Sequence, residues 1–148
     1  LLRQHGLRPQ DLTLEMTESV VMDTTAGVPA TIDAVQALGV HLSLDDFGTG
    51  YSSLGYLHRL PIHELKLDKS FVQDLVDNAA ARALTNTVLR IGDGLDLVVV
   101  AEGVETALQA EFLTSRGCRV LQGYLYARPM PADGLEQWLT ARCADAGP

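Results

Sequence analysis

The chain has 148 residues, 47% hydrophobic and 20% charged, the make-up of one soluble globular domain with room for a buried core. Its formal net charge of −8 argues against a surface built to grip DNA, RNA or an anionic membrane, because such surfaces cluster Lys and Arg. No apolar run approaches the roughly 20 residues of a membrane span, and the start, Leu1 to Gly6, is too short and too polar for a signal peptide, so the chain reads as cytoplasmic.

Strand and helix signals alternate along the chain. Leu12 to Met16 alternates as a strand, and a helix follows from about Thr25 to Leu38, closed by Gly39 as its C′ residue. His41 to Asp45 is the second strand, and the glycine-bearing turn Phe47-Gly48-Thr49-Gly50 comes next. A short helix through Tyr56 and Leu57 stops at Pro61, and Glu64 to Asp68 is the third strand. A long helix spans about Asn78 to Ile91. Leu97 to Ala101 is the fourth strand, a continuous apolar run of the kind buried on both faces. Thr106 with Gln109 forms a capping box for a helix ending at Gly117. Val120 to Tyr126 is the fifth strand, and Asp133 with Glu136 opens a last helix through Trp138.

This alternation predicts a parallel α/β fold. A doubly wound open sheet would feed its ligand site at one switch point, whereas a (β/α)8 barrel lets every strand deliver a residue to one mouth. All five strands carry a polar residue toward their C-terminal ends: Glu15, Asp45 with Asp46, Lys66, Glu102 and Gln122. The pattern favours a TIM-like barrel, present here as an incomplete barrel of about five βα units. Ionised side chains at the tips of greasy strands are rarely buried unless they are paired or bind a metal. The strand tips therefore describe a charged pocket of the kind a metal-dependent active site needs. Cys118 and Cys143 form no metal-ligand spacing and read as free thiols of a reducing compartment. The histidines His5, His41, His58 and His63 show no metal spacing either.

Five stretches in order make the chain resemble the EAL domain family. They are Glu-Met-Thr-Glu-Ser (15–19), Asp-Asp-Phe-Gly-Thr-Gly-Tyr-Ser-Ser-Leu (45–54), Leu-Lys-Leu-Asp (65–68), Ala-Glu-Gly-Val-Glu-Thr (101–106) and Gln-Gly-Tyr (122–124). The resemblance implies a phosphodiesterase that linearises the bacterial second messenger cyclic di-GMP. The family's Glu-Ala-Leu motif and the Asn ligand on a following strand are not found in this sequence. Residues 1–148 therefore resemble the C-terminal portion of such a domain.

Glu15, Asp45 and Asp46 carry hard carboxylate oxygens that suit Mg²⁺ or Mn²⁺. The resemblance makes Glu15 and Asp45 metal ligands and has Asp46 serve a second ion, a two-metal site in the intact domain. The plainer reading is a helix cap or surface turn for the aspartates and a solvated strand end for Glu15. Lys66 can hold a water or neutralise phosphate charge, or simply form a structural salt bridge. The resemblance makes Glu102 a participant in water activation, as base or as a partner of Lys66. Glu105, Asp68 and Gln122 are candidates for binding water, substrate or the lysine, and Gln122 can equally be a satisfied amide. Glu18, Gly48 and Gly50 are expected to support the mouth loop, Glu18 as its anchor. Arg128 can reach a guanine or phosphate or sit in an exposed ion pair, and Tyr51 and Tyr124 can stack on a base or fill a groove.

The partners implied by the resemblance are cyclic di-GMP, a second copy of the chain in a homodimer, and an upstream GGDEF or sensory domain. A non-catalytic cyclic di-GMP-binding or protein-interaction module is the alternative, although the carboxylate motifs show no decay.

Overall fold

The computed structural model describes residues 1–21, 27–48 and 54–145. Five strands form one sheet: β1 (Thr13–Thr17), β2 (His41–Phe47), β3 (Glu64–Leu67), β4 (Val98–Ala101) and β5 (Val120–Leu121). Every neighbouring pair is parallel, and the order across the sheet is the order along the chain. A doubly wound sheet reverses direction at a switch point, whereas a barrel keeps adding strands on one side. The sheet is therefore an arc of a TIM-like barrel, with β1 and β5 as its outer strands.

Parallel neighbours need crossovers, and helices supply them. Helices α1 (Glu18–Val21) and α2 (Val28–Ala37) lie between β1 and β2, and α3 (Leu54–Leu57) lies between β2 and β3. Helices α4 (Lys69–Gln73) and α5 (Ala79–Gly94) join β3 to β4, α6 (Ala107–Ser115) joins β4 to β5, and α7 (Ala132–Asp145) follows β5. The start of the helix expected after the first strand, about Thr25, falls outside the described residues, and α2 begins at Val28 after Gly27. Gly39 does close that helix region in a left-handed conformation, with φ 79°. Asn78 caps α5 by accepting from the Ala80 and Ala81 amides, so the helix expected from about Asn78 begins at Ala79.

Two strand-level differences from the sequence reading have local causes. The fifth strand is confined to Val120–Leu121, not Val120 to Tyr126. Beyond it the chain is taken up by hydrogen bonds with the segment after β4: the Val104 amide donates to the Gln122 carbonyl and the Leu125 amide to the Val104 carbonyl. The third strand ends at Leu67, because Asp68 turns to cap α4, a helix the sequence reading did not contain.

The register assigns the two faces of the arc. Leu44 pairs with Leu65, Leu65 with Val99, and Ala101 with Leu121, so these residues share one face. Together with Leu42, Leu67, Val72, Leu75, Val88, Leu89 and Leu113 they build the core. Each such leucine, wholly buried, contributes roughly 1.5–3 kcal/mol relative to exposure. The opposite face carries Glu15, Ser43, Asp45, Lys66, Val100 and Glu102, and its polar residues lie toward the C-terminal strand ends, where a barrel fold keeps its site.

Candidate active site

Lys66 is the centre of the polar face. Strand β3 is the middle strand of five, so Lys66 has neighbours on both sides. Its Nζ lies 2.8 Å from Glu102 Oε1, 2.9 Å from Glu15 Oε1 and 3.2 Å from Asp45 Oδ1. The lysine side chain is 7% exposed, against 52% for Glu15, 23% for Asp45 and 20% for Glu102. A buried ammonium thus holds three carboxylates that open progressively to solvent. Burial alone would depress the Lys66 pKa, but the hydrogen bonds to Glu102, Glu15 and Asp45 outweigh it and raise the pKa above its ordinary value. The ammonium form is therefore the resident one.

Strand β2 delivers two consecutive carboxylates by breaking its own alternation. Leu44 pairs with Leu65 and Phe47 pairs with Leu67, so three steps on β2 match two on β3. The extra residue makes a bulge. Asp46 occupies it with φ 57°, a left-handed conformation that Asp tolerates better than most side chains. The Asp46 amide donates to Asp45 Oδ1 at 3.0 Å, which steadies the Asp45 carboxylate beside Lys66. Asp46 itself is exposed, at the rim. A regular strand would have put Asp46 on the core face, in the place Phe47 now fills.

Glu102 continues the ladder one residue past β4, its amide donating to the Leu67 carbonyl. Gln122 does the same past β5, its amide donating to the Ala101 carbonyl at 2.9 Å. Its side chain is exposed at the rim, as is that of Glu105. The Glu105 amide donates to Gln109 Oε1, and Gln109 Nε2 reaches across to the Val72 carbonyl. Gln109 therefore joins the loop behind Glu102 to helix α4, a role beyond the capping box read from the sequence. Gly123 packs directly on the Val104 backbone, where a Cβ would overlap the Val104 N, C and O atoms.

The remaining candidates stand around this cluster. Asp68 turns its Oδ1 to the Ser70 amide at 2.9 Å and caps α4, and the ion pairs of Lys66 do not include it. Glu18 opens α1, half-buried. Gly48 has φ 93° and lies against the Phe71 ring, so a side chain there would meet both strain and the ring edge. Gly50 and Tyr51 lie outside the described residues. Arg128 stacks its guanidinium over the Tyr124 ring at 4.6 Å, so both sequence candidates are engaged with each other. Far from the mouth, His41 and His63 stack with ring centroids 4.4 Å apart. The buried Cys118 thiol faces the Val99 and Val120 carbonyls, and burial pushes its pKa up.

The donor chemistry fits a hard divalent cation. Three carboxylate oxygens from β1, β2 and the end of β4 gather around the Lys66 ammonium, and oxygens of this kind are the ligands that Mg²⁺ or Mn²⁺ takes. Among the described residues no group of three or more His, Cys, Asp or Glu side chains is arranged to hold a metal by itself.

A parallel (β/α) arc with acidic strand tips around a buried lysine defines an incomplete TIM-like barrel, a fold that places its sites at the C-terminal mouth. The chain belongs to the EAL domain family, which it matches over residues 1–129. It is 48% identical over 134 residues to the bifunctional diguanylate cyclase/cyclic di-GMP phosphodiesterase MucR of Pseudomonas aeruginosa, a match covering 90% of this chain and 20% of MucR. The solved PaMucR phosphodiesterase in complex with c-di-GMP shares the fold with a TM-score of 0.83, at 48% identity, over 90% of this chain and 54% of that one. A manganese/cyclic di-GMP complex of BlrP1 from Klebsiella pneumoniae gives a TM-score of 0.80 at 37% identity, over 86% of this chain and 33% of BlrP1. The chain thus spans about a fifth of the length of MucR and about half of the solved MucR phosphodiesterase chain.

Proposed function

We propose that residues 1–148 form the C-terminal portion of an EAL domain whose parent protein hydrolyses cyclic di-GMP to the linear dinucleotide. The observation that carries this reading is the convergence of Glu15, Asp45 and Glu102 on Lys66 at one end of a parallel sheet. The names of MucR and of the solved c-di-GMP complexes support the choice of substrate.

In the proposed reaction one phosphodiester P–O bond breaks and the oxygen of water bonds to phosphorus, with a proton passing to the leaving oxygen. Lys66 fixes Glu102 through its Oε1 at 2.8 Å, which orients that carboxylate to accept a proton from the attacking water. The ammonium, itself 7% exposed, also offsets phosphate charge. Glu15 and Asp45, with Asp46 toward a second ion, would hold Mg²⁺ or Mn²⁺, which when bound would supply Lewis acidity to the phosphoryl group. Gln122 and Glu105 at the rim bind substrate or its water. Asp68, Glu18 and Gly48 support the walls of the mouth. The reading extends to a homodimer in the cytoplasm and to a GGDEF or sensory domain in the parent, the latter supported by the diguanylate cyclase in the name of MucR.

The test is cyclic di-GMP hydrolysis with Mg²⁺ or Mn²⁺, by the 148-residue chain and by its longer parent, with products separated by chromatography. Turnover that a chelator abolishes supports the reading. A folded parent that binds cyclic di-GMP and never cleaves it overturns the reading in favour of a non-catalytic module.

A further inference from the structure

We propose that Lys66 is the resident counter-cation of this site and competes with a divalent metal ion for Glu15 and Asp45. The inference rests on the metal reading above. An ammonium has three hydrogens to donate. Three carboxylate oxygens stand at 2.8, 2.9 and 3.2 Å from Lys66 Nζ, so each hydrogen has a partner. Three carboxylates and one ammonium leave a formal charge of −2, the amount one divalent ion neutralises.

The two kinds of cation ask for different shells. The oxygens lie 2.8–3.2 Å from Nζ, whereas Mg²⁺ gathers its ligands at about 2.0–2.1 Å. The carboxylates cannot close on a second centre and keep their present geometry around the first. The topology decides which of them leave. Glu15 and Asp45 come from β1 and β2, on one side of β3, and Glu102 comes from the β4 side. Glu15 is also the carboxylate most open to an arriving ion. Metal loading on the β1–β2 side draws Glu15 and Asp45 off the ammonium and leaves Glu102 paired. Two lysine hydrogens then become available to a phosphate oxygen or a water. The site is thereby built for an order of binding, cation before dinucleotide.

Calorimetric Mn²⁺ titration of the wild-type chain, Lys66→Met and Lys66→Arg tests the competition. Removing a unit positive charge next to the ion should tighten Mn²⁺ binding by about tenfold or more, and Lys66→Arg, which keeps the charge, should stay near wild type. Mn²⁺ binding that is unchanged or weaker in Lys66→Met overturns the proposal, because Lys66 would then preorganise the ligands instead of competing for them. A second measurement needs no variant: the Lys66 side-chain ammonium resonance of the wild type should shift and exchange faster with solvent as Mg²⁺ is added. A resonance unmoved through a saturating titration overturns the proposal while leaving the metal reading intact. A wild-type chain and parent that take up neither ion remove both.

Discussion

Lys66 Nζ and Glu102 Oε1 lie 2.8 Å apart across the seam between β3 and β4, the shortest of the three ion pairs that the lysine makes. The backbone enforces this pairing. Lys66 is in register with Val100 and Leu67 with Ala101, and the Glu102 amide closes on the Leu67 carbonyl. The side chain that follows has nowhere to go but the mouth.

Replacing that lysine should therefore be costly without metal. Lys66→Met leaves three carboxylates facing one another, and we expect a loss of about 2 kcal/mol, below that for a fully buried pair because water reaches the acids. The folded pKa of Lys66 is raised above its ordinary 10.5. Its stabilisation is thus complete below pH 10.5 and fades as pH climbs through the raised value. Denaturant unfolding of wild type and variant should show a constant difference from neutral pH up to that point and a shrinking one above it. A difference that already shrinks between pH 7 and 9 would contradict this.

Asp45→Asn keeps the shape of the side chain and removes its charge. In the parent protein, metal-dependent turnover of cyclic di-GMP should fall by about 100-fold or more, the scale of several kcal/mol of lost charge stabilisation. The thermal midpoint should stay close to wild type, since Lys66 retains Glu15 and Glu102. Unaltered turnover would remove Asp45 from the metal site.

Asp68 should matter to stability through its cap. Burial raises the pKa of its carboxyl, but the hydrogen bonds from Ser70 outweigh this and hold it below the usual range. Asp68→Ala should cost about 1 kcal/mol, and Asp68→Asn much less. The part of that stabilisation owed to the charge is present above pH 3.8 and is lost as pH falls through the depressed folded value. Equal losses for Ala and Asn at neutral pH would point to a role for the charge outside the cap.

Two glycines make a contrasting pair. A Cβ at Gly123 would overlap the Val104 backbone, whereas one at Gly94 meets nothing within 4 Å. Gly123→Ala should destabilise by about 1–3 kcal/mol, and Gly94→Ala, at the last turn of α5, should be neutral or stabilising by about 0.5 kcal/mol. Differential scanning calorimetry of the two variants reads the contrast directly, and a Gly123→Ala as stable as wild type would refute the close packing.

The strand tips were legible because burying Leu65 and Leu67 on one face forces Lys66 onto the other. The barrel was legible for a related reason: each tip carries a polar group, and a barrel gives all of them one mouth. What escaped the sequence was backbone geometry. The short β5 follows from how Gly123 meets Val104, two residues 19 positions apart that no local pattern links. Asp68 looked like a fourth member of the cluster by alternation, yet the Ser70 amide claims its Oδ1 because the strand has already ended. The reach of Gln109 to Val72 spans 37 residues and leaves no trace in the spacing of either.

The bulge at Asp46 acts on strand β2 as a frameshift acts on a message. Leu42 and Leu44 before it and Phe47 after it are read on the same face only because one residue is skipped. The segment is therefore intolerant of changes in length as well as in chemistry. Removing a residue between Leu44 and Phe47 would restore the plain alternation, and one of the two adjacent carboxylates would vanish from the mouth. Adding one would turn Phe47 out of the core.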